Sequence, residues 1–230
     1  MSHLHIPDGV LPLSHWLAGL LVALLLLLVS IAATRRQPRA QVAYQGAIGA
    51  LMLAAMALEF PLGPIDYHLS LVGPVGALLG AAAGFQVVFV VSAMLALIGH
   101  GGLTVVGLNA LVLGAGVAVA RPLARGLARP CGAPLALALA TALAQALSGG
   151  LWLAIIAFEM QSGARAAMLG QGPGRVLLIA GLALPLWGVG IVVESLIAFG
   201  IGRFVARVRP DFLPRGSAPV PAGPGPGAPR

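Results

Sequence analysis

Along this chain, solid apolar runs of Leu, Ala, Val and Gly alternate with short polar breaks, and the runs show no alternation of period two. Seven runs stand out, at 13–33, 41–58, 69–83, 85–98, 103–120, 134–158 and 176–204. A helix crossing the hydrocarbon core of a bilayer needs about 20 apolar residues, whereas barrel strands alternate lipid-facing and inward residues. The pattern predicts an all-α, polytopic membrane helical bundle of about seven transmembrane helices. Runs three and four are the shortest, and Gly84 between them reads as a tight turn or as a kink in one long helix. Small residues recur at every fourth position: Gly73, Ala77 and Ala81; Ala110, Gly114 and Ala118; Ala136, Ala140, Ala144 and Ser148. In an Ala-rich chain part of this is chance, but the spacing suits close helix approach in lipid.

Composition agrees. Of 230 residues, 59% are hydrophobic and 8% charged, with mean hydropathy +1.00. Soluble domains carry about 25% charge. The net charge of +7 invites a nucleic-acid reading, yet all 13 basic residues are Arg and most sit between apolar runs. They read as a topology signal with possible contact to anionic lipid, so no nucleic-acid partner is expected. Cys131 cannot form an internal disulfide and reads as an inconsequential free thiol.

The same arginines set the orientation. No Lys or Arg precedes Trp16, whereas Arg35, Arg36 and Arg39 follow the first run, which fits an uncleaved first helix with an outer N-terminus. Counting seven helices from there puts Arg35, Arg36, Arg39, Arg121, Arg125, Arg129, Arg203, Arg207, Arg209, Arg215 and Arg230 on the cytoplasmic side. Only Arg165 and Arg175 fall outside, and merging runs three and four would destroy that separation. Residues 1–209 are expected to form the bundle. Residues 210–230, rich in Pro and Gly, are expected to form a disordered cytoplasmic tail.

All five histidines (His3, His5, His15, His68 and His100) then fall at the outer face, with Asp8, Glu59, Asp66 and Glu159. Imidazole suits divalent Ni, Co, Cu and Zn. A chain terminus with an imidazole at position two or three can surround an ion in one plane through its amine, a deprotonated amide and the ring, a geometry typical of Ni(II) or Cu(II). The plain alternative is that His3 and His5 are solvated tail residues. Glu194 lies inside the last run, where an ionisable side chain is expensive. A hydrogen bond to a neighbouring helix is expected for it, with contact to a partner subunit the alternative. Glu59 caps a helix, pairs with Arg165 or tunes the charge of the outer face. Pro185 should kink its helix, and Trp16, Trp152 and Trp187 read as interfacial or packing aromatics.

Four stretches carry a resemblance: LHIPDGVLP at 4–12, LEFPLGPIDYHLSLVGPVGALLG at 58–80, GHGGLTVVGLNALVLG at 99–114 and VESLIAFGIGRFVARVRPDFL at 193–213. In this order they resemble the CbiM/NikM family, the substrate-binding membrane subunits of cobalt and nickel energy-coupling-factor transporters. The resemblance implies seven helices, an outer N-terminus folded into the bundle, and Co(II) or Ni(II) bound there as transported substrate. It implies that His5 supplies an imidazole and amide nitrogen beside Leu4, that His68 supplies the loop imidazole, and that Asn109 stands near the site. It also implies a transmembrane coupling subunit, cytoplasmic ATPases, a small accessory membrane subunit and a place in a bacterial or archaeal inner membrane.

Three departures from the family pattern bear on the site. His100 stands where the family usually has Asp, and Asp66 and Tyr67 replace small residues before His68. Met1, Ser2 and His3 also precede Leu4. Either Leu4 is the true start, which places the amine beside His5, or the written start holds and His3 takes over. No Gly-X4-Gly-Lys-Ser/Thr phosphate loop occurs, so ATP hydrolysis belongs to partners. Two other classes compete. An intramembrane metallohydrolase would need a spacing such as His-Glu-X2-His, which is missing. A structural membrane subunit leaves the one-sided histidines to chance.

Overall fold

The computed structural model describes residues 6, 8–9, 11–58, 60–62, 65–162 and 173–213. Among them are seven α-helices: α1 (Leu13–Thr34), α2 (Arg39–Ala57), α3 (Val72–Leu79), α4 (Ala81–Leu97), α5 (Val106–Cys131), α6 (Ala133–Ser162) and α7 (Pro173–Val208). A 3-10 turn, Pro210–Phe212, follows. Pro12 and Pro38 hold extended backbone immediately before α1 and α2, where a proline has no helical N–H to forfeit. Five helices are long and apolar enough to cross a membrane, and α4 is a shorter apolar helix. The chain is a multi-pass membrane protein built as an all-α bundle.

The expected third helix is where sequence and structure part most. Within 69–83, α3 covers only 72–79 and residues 81–83 already belong to α4; eight residues rise about 12 Å, well short of a hydrocarbon core of about 30 Å. The break falls at Gly80, with φ +81°, and Gly84 lies inside α4. That φ is open to glycine at little strain. Nearly all of α3 is buried. It fits because its glycines face backbone: a Cβ on Gly76 would stand 2.3 Å from the Val117 carbonyl, and one on Gly73 2.5 Å from the Thr141 Cα. Before α3, two short strands, β1 (Phe60–Leu62) and β2 (Ile65–Tyr67), pair antiparallel with Phe60 opposite Tyr67 and Leu62 opposite Ile65.

The arginine-rich stretch 121–133, expected as a loop, is also different: α5 continues through it to Cys131. Arginine is a good helix former, so a charged stretch need not end a helix. Pro122 and Pro185 both sit inside continuous helices. The main core joins Met52 and Met56 of α2, Val72 and Val75 of α3, Val88 and Leu95 of α4, and Leu113 and Val117 of α5. By contrast α1 leaves Leu13, Leu21, Leu25 and Leu28 exposed, as a lipid-facing helix does.

Candidate metal centre

Contacts bring residues 6, 8 and 11, the segment just after β2, the 98–105 connection and the C-terminal part of α6 to one end of the bundle. Three histidines among the described residues lie there. His68, just after β2, and His100, just after α4, have ring centroids 5.8 Å apart at an interplanar angle of 84°. A metal–nitrogen bond of about 2.1 Å puts a metal roughly 3 Å from its imidazole centroid, so two rings sharing one ion stand up to about 6 Å apart. The His68–His100 spacing falls within that limit. His68 Nδ1 lies 3.2 Å from the Leu58 carbonyl oxygen. With the proton on Nδ1 donated to that oxygen, Nε2 carries the lone pair, the arrangement by which protein ligands are oriented.

The N-terminal stretch is tied to the same region at two points. Ile6 is fully buried beside Leu11 and Val105. Its N–H donates to Asn109 Oδ1 at 2.7 Å, and Asn109 Nδ2 donates to the Ile6 carbonyl at 3.2 Å. Asn109, in the first turn of α5, thus clamps the residue after His5 with both ends of its amide. Two residues further on, Asp8 accepts from the Leu103 N–H and the Thr104 N–H, each at 2.9 Å, and from the Thr104 hydroxyl. The Thr104 hydroxyl is the main cause of the Asp8 carboxyl titrating below its ordinary 3.8; partial burial opposes it, and the two N–H groups add to it. One connection, 98–105, therefore carries His100 toward His68 and also anchors the N-terminal strip.

His3, Leu4 and His5 lie outside the described residues, as do Glu59 and Arg165. Among the described residues no three His, Cys, Asp or Glu side chains converge as a metal cluster. The remaining described histidine, His15, stands apart from the His68–His100 pair. Its Nδ1 is 3.0 Å from Glu159 Oε2, and its ring lies 6.1 Å from that of Phe158.

Beneath this end, Glu194 of α7 is 1% exposed. It accepts from the Ser70 N–H at 2.8 Å, the Leu71 N–H at 3.0 Å and the Ser70 hydroxyl at 3.1 Å, while Gln145 Nε2 donates to Ser70 Oγ at 2.7 Å. A buried carboxylate here satisfies backbone donors at the start of α3 that no water would reach in a bilayer. The hydrogen bonds expected for Glu194 thus go to irregular backbone and a serine at the head of a short helix. Trp187 packs on α6 so closely that a Cβ on Gly149 would stand 2.1 Å from its ring, and Trp152 joins the Ile6 cluster. The sequence pattern assigned no role to Asp8, Thr104, Ser70 or Gln145. The Pro-Asp-Gly turn at 7–9 was the one available signal for Asp8.

The helices define a polytopic membrane protein, and the family it matches makes it a transporter component of metal uptake and not an enzyme. Residues 5–212 match the family model CbiM, described as the cobalt uptake substrate-specific transmembrane region. The chain belongs to that family. Its fold is shared with the crystal structure of a transition metal transporter, at TM-score 0.76 and 16% identity over 89% of this chain and 93% of the other. A truncated transition metal transporter aligns at TM-score 0.76 and 15% identity over 89% and 99%. No curated sequence matches the chain.

Proposed function

We propose that this chain is the substrate-capture membrane subunit of an energy-coupling-factor importer of Ni(II) or Co(II), with its histidine-bearing end outside. The ion is held by nitrogen from the N-terminal stretch, through the His5 imidazole and the backbone beside Leu4, together with the His68 Nε2. His100 completes or borders the set, and Asn109 acts by fixing the strip that carries His5. His3 replaces His5 if the mature chain begins Ser2-His3, which intact mass of the purified protein decides. A coupling membrane subunit, cytoplasmic ATPases and a small accessory membrane subunit supply the rest of the cycle. The supporting orientation comes from arginine placement.

The observation that carries this reading is the clamp of Ile6 by Asn109 beside the connection that presents His100 to His68. A strip held at Ile6 would bring the residue before it within reach of that connection. The test is His68→Ala in the purified full-length chain. Binding of Ni(II) and Co(II) should weaken by roughly a hundredfold or more, since even the loss of an outer-shell partner costs 10–100-fold. Thermal unfolding should change little, because His68 sits in a connection rather than in the core. Affinity equal to wild type would overturn the assignment of His68. Running both metals matters because Irving–Williams ordering separates intrinsic affinity from physiological choice.

A further inference from the structure

At the opposite end of the bundle, Arg121, Arg125 and Arg129 recur every fourth residue of α5, on one face of the helix. With Ala81, Ala118 and Pro122 they line a concavity of about 540 Å³. Arg121 is half-buried and already oriented. Its Nε donates to the Ala77 carbonyl and its Nη2 to the Leu78 carbonyl, each at 3.1 Å, which caps the last turn of α3. Pro122, inside α5, has no N–H to return to the residue 118 carbonyl on this wall.

Among the described residues, no acidic side chain pairs with these three arginines. Asp8 and Glu159 are engaged at the histidine-bearing end, and Glu194 receives the N–H groups of Ser70 and Leu71. Asp211 is paired with Arg209 at 2.9 Å. Residues 214–230 contain no acid. Among the described residues, three like charges therefore converge on one hollow without an acidic side chain to pair with them.

We propose that this hollow binds a phosphate-bearing anion. The planar guanidinium fork matches phosphate oxygens, and Arg121 is fixed before the ligand arrives. Ala81, Ala118 and Pro122 give the hollow an apolar wall, which suits the glycerol and acyl portion of a lipid; free phosphate would use the arginines alone. A topology signal by itself requires positive charge at this end but no alignment of the arginines around a hollow.

The test uses the full-length purified chain with Arg125→Gln/Arg129→Gln, leaving Arg121 and its cap on α3 intact. Arg203→Gln/Arg207→Gln removes the same charge from the same end of the bundle as a control. Retention of phosphatidylglycerol, against phosphatidylcholine, is read by native mass spectrometry, and stabilisation by inorganic phosphate is read by thermal unfolding in lipid-free detergent. Loss of two near-surface arginines should weaken phosphatidylglycerol binding roughly thirtyfold. The control should change it several times less. A pocket-dependent response to phosphatidylglycerol alone assigns a lipid headgroup, and one to inorganic phosphate as well assigns a free phosphate. Undiminished binding of both probes by the pocket variant, or an equal loss in the control, would overturn the proposal.

Discussion

Residues 6 and 8–9, like residues 68–71, are irregular backbone set among helices, yet different chemistry holds them. Ile6 is clamped by a neutral amide that donates once and accepts once, and Asp8 sits at the rim where water competes. Ser70 and Leu71 are held by a fully buried carboxylate that accepts three times. Neutral hydrogen bonds contribute about 1 kcal/mol net, and bonds to a charged group about 1.5–3. The backbone at Ile6 is therefore fastened more lightly than that at Ser70 and Leu71. A strip that carries an ion ligand, as proposed, would gain from the lighter fastening, while irregular backbone at the head of a buried helix needs the stronger one.

Replacing Glu194 should break this contrast most severely. Glu194→Ala strands the Ser70 and Leu71 donors, and two buried orphans cost about 2–6 kcal/mol. Unfolding temperature and the yield of monodisperse protein should both fall sharply. Glu194→Gln should recover little, because an amide turns its NH2 toward the same donors; full recovery would mean that charge is unimportant in this clamp. Asn109→Ala comes next. It leaves the Ile6 N–H without an acceptor, about 1–3 kcal/mol, but the loss is local. Hydrogen exchange at Ile6 should accelerate with little change in the melting of α3–α7, and metal affinity should fall about tenfold or more if the strip positions a ligand.

Asp8→Asn should be the mildest change and is visible chiefly through pH. A carboxyl whose folded pKa lies below 3.8 contributes stability that is present above 3.8 and lost as pH falls through the lower value. In the wild-type chain, exchange of the Leu103 and Thr104 amides should rise only below about pH 3.8, and the Asn variant should lose that acid limb. A rise already at pH 5–6 would point instead to a histidine as the controlling group.

The helices were legible wherever an apolar run was long. Those expected at 13–33, 41–58, 134–158 and 176–204 appear as Leu13–Thr34, Arg39–Ala57, Ala133–Ser162 and Pro173–Val208. Polar punctuation misled at α5, because arginines lie on a helix as readily as in a loop. Gly84 misled as well: Gly80, four residues earlier, looks no different in sequence, yet it alone of the two has the positive φ. At the site, His68 and His100 do come together, whereas the sequence left that pairing unstated. The partners of Glu194 were out of reach for another reason: its acceptors meet backbone N–H groups more than 120 residues away, and backbone donors carry no side-chain signature.

The position of Ser70 has a mechanical consequence. Only Leu69 separates His68 from a residue fixed by Glu194 and Gln145, and two residues of chain span at most about 7 Å when fully stretched. Such a short leash leaves little slack. If His68 holds the ion as proposed, any tug on it runs directly into the head of α3 and across to α7, so occupancy at the mouth would become a load on the middle of the bundle.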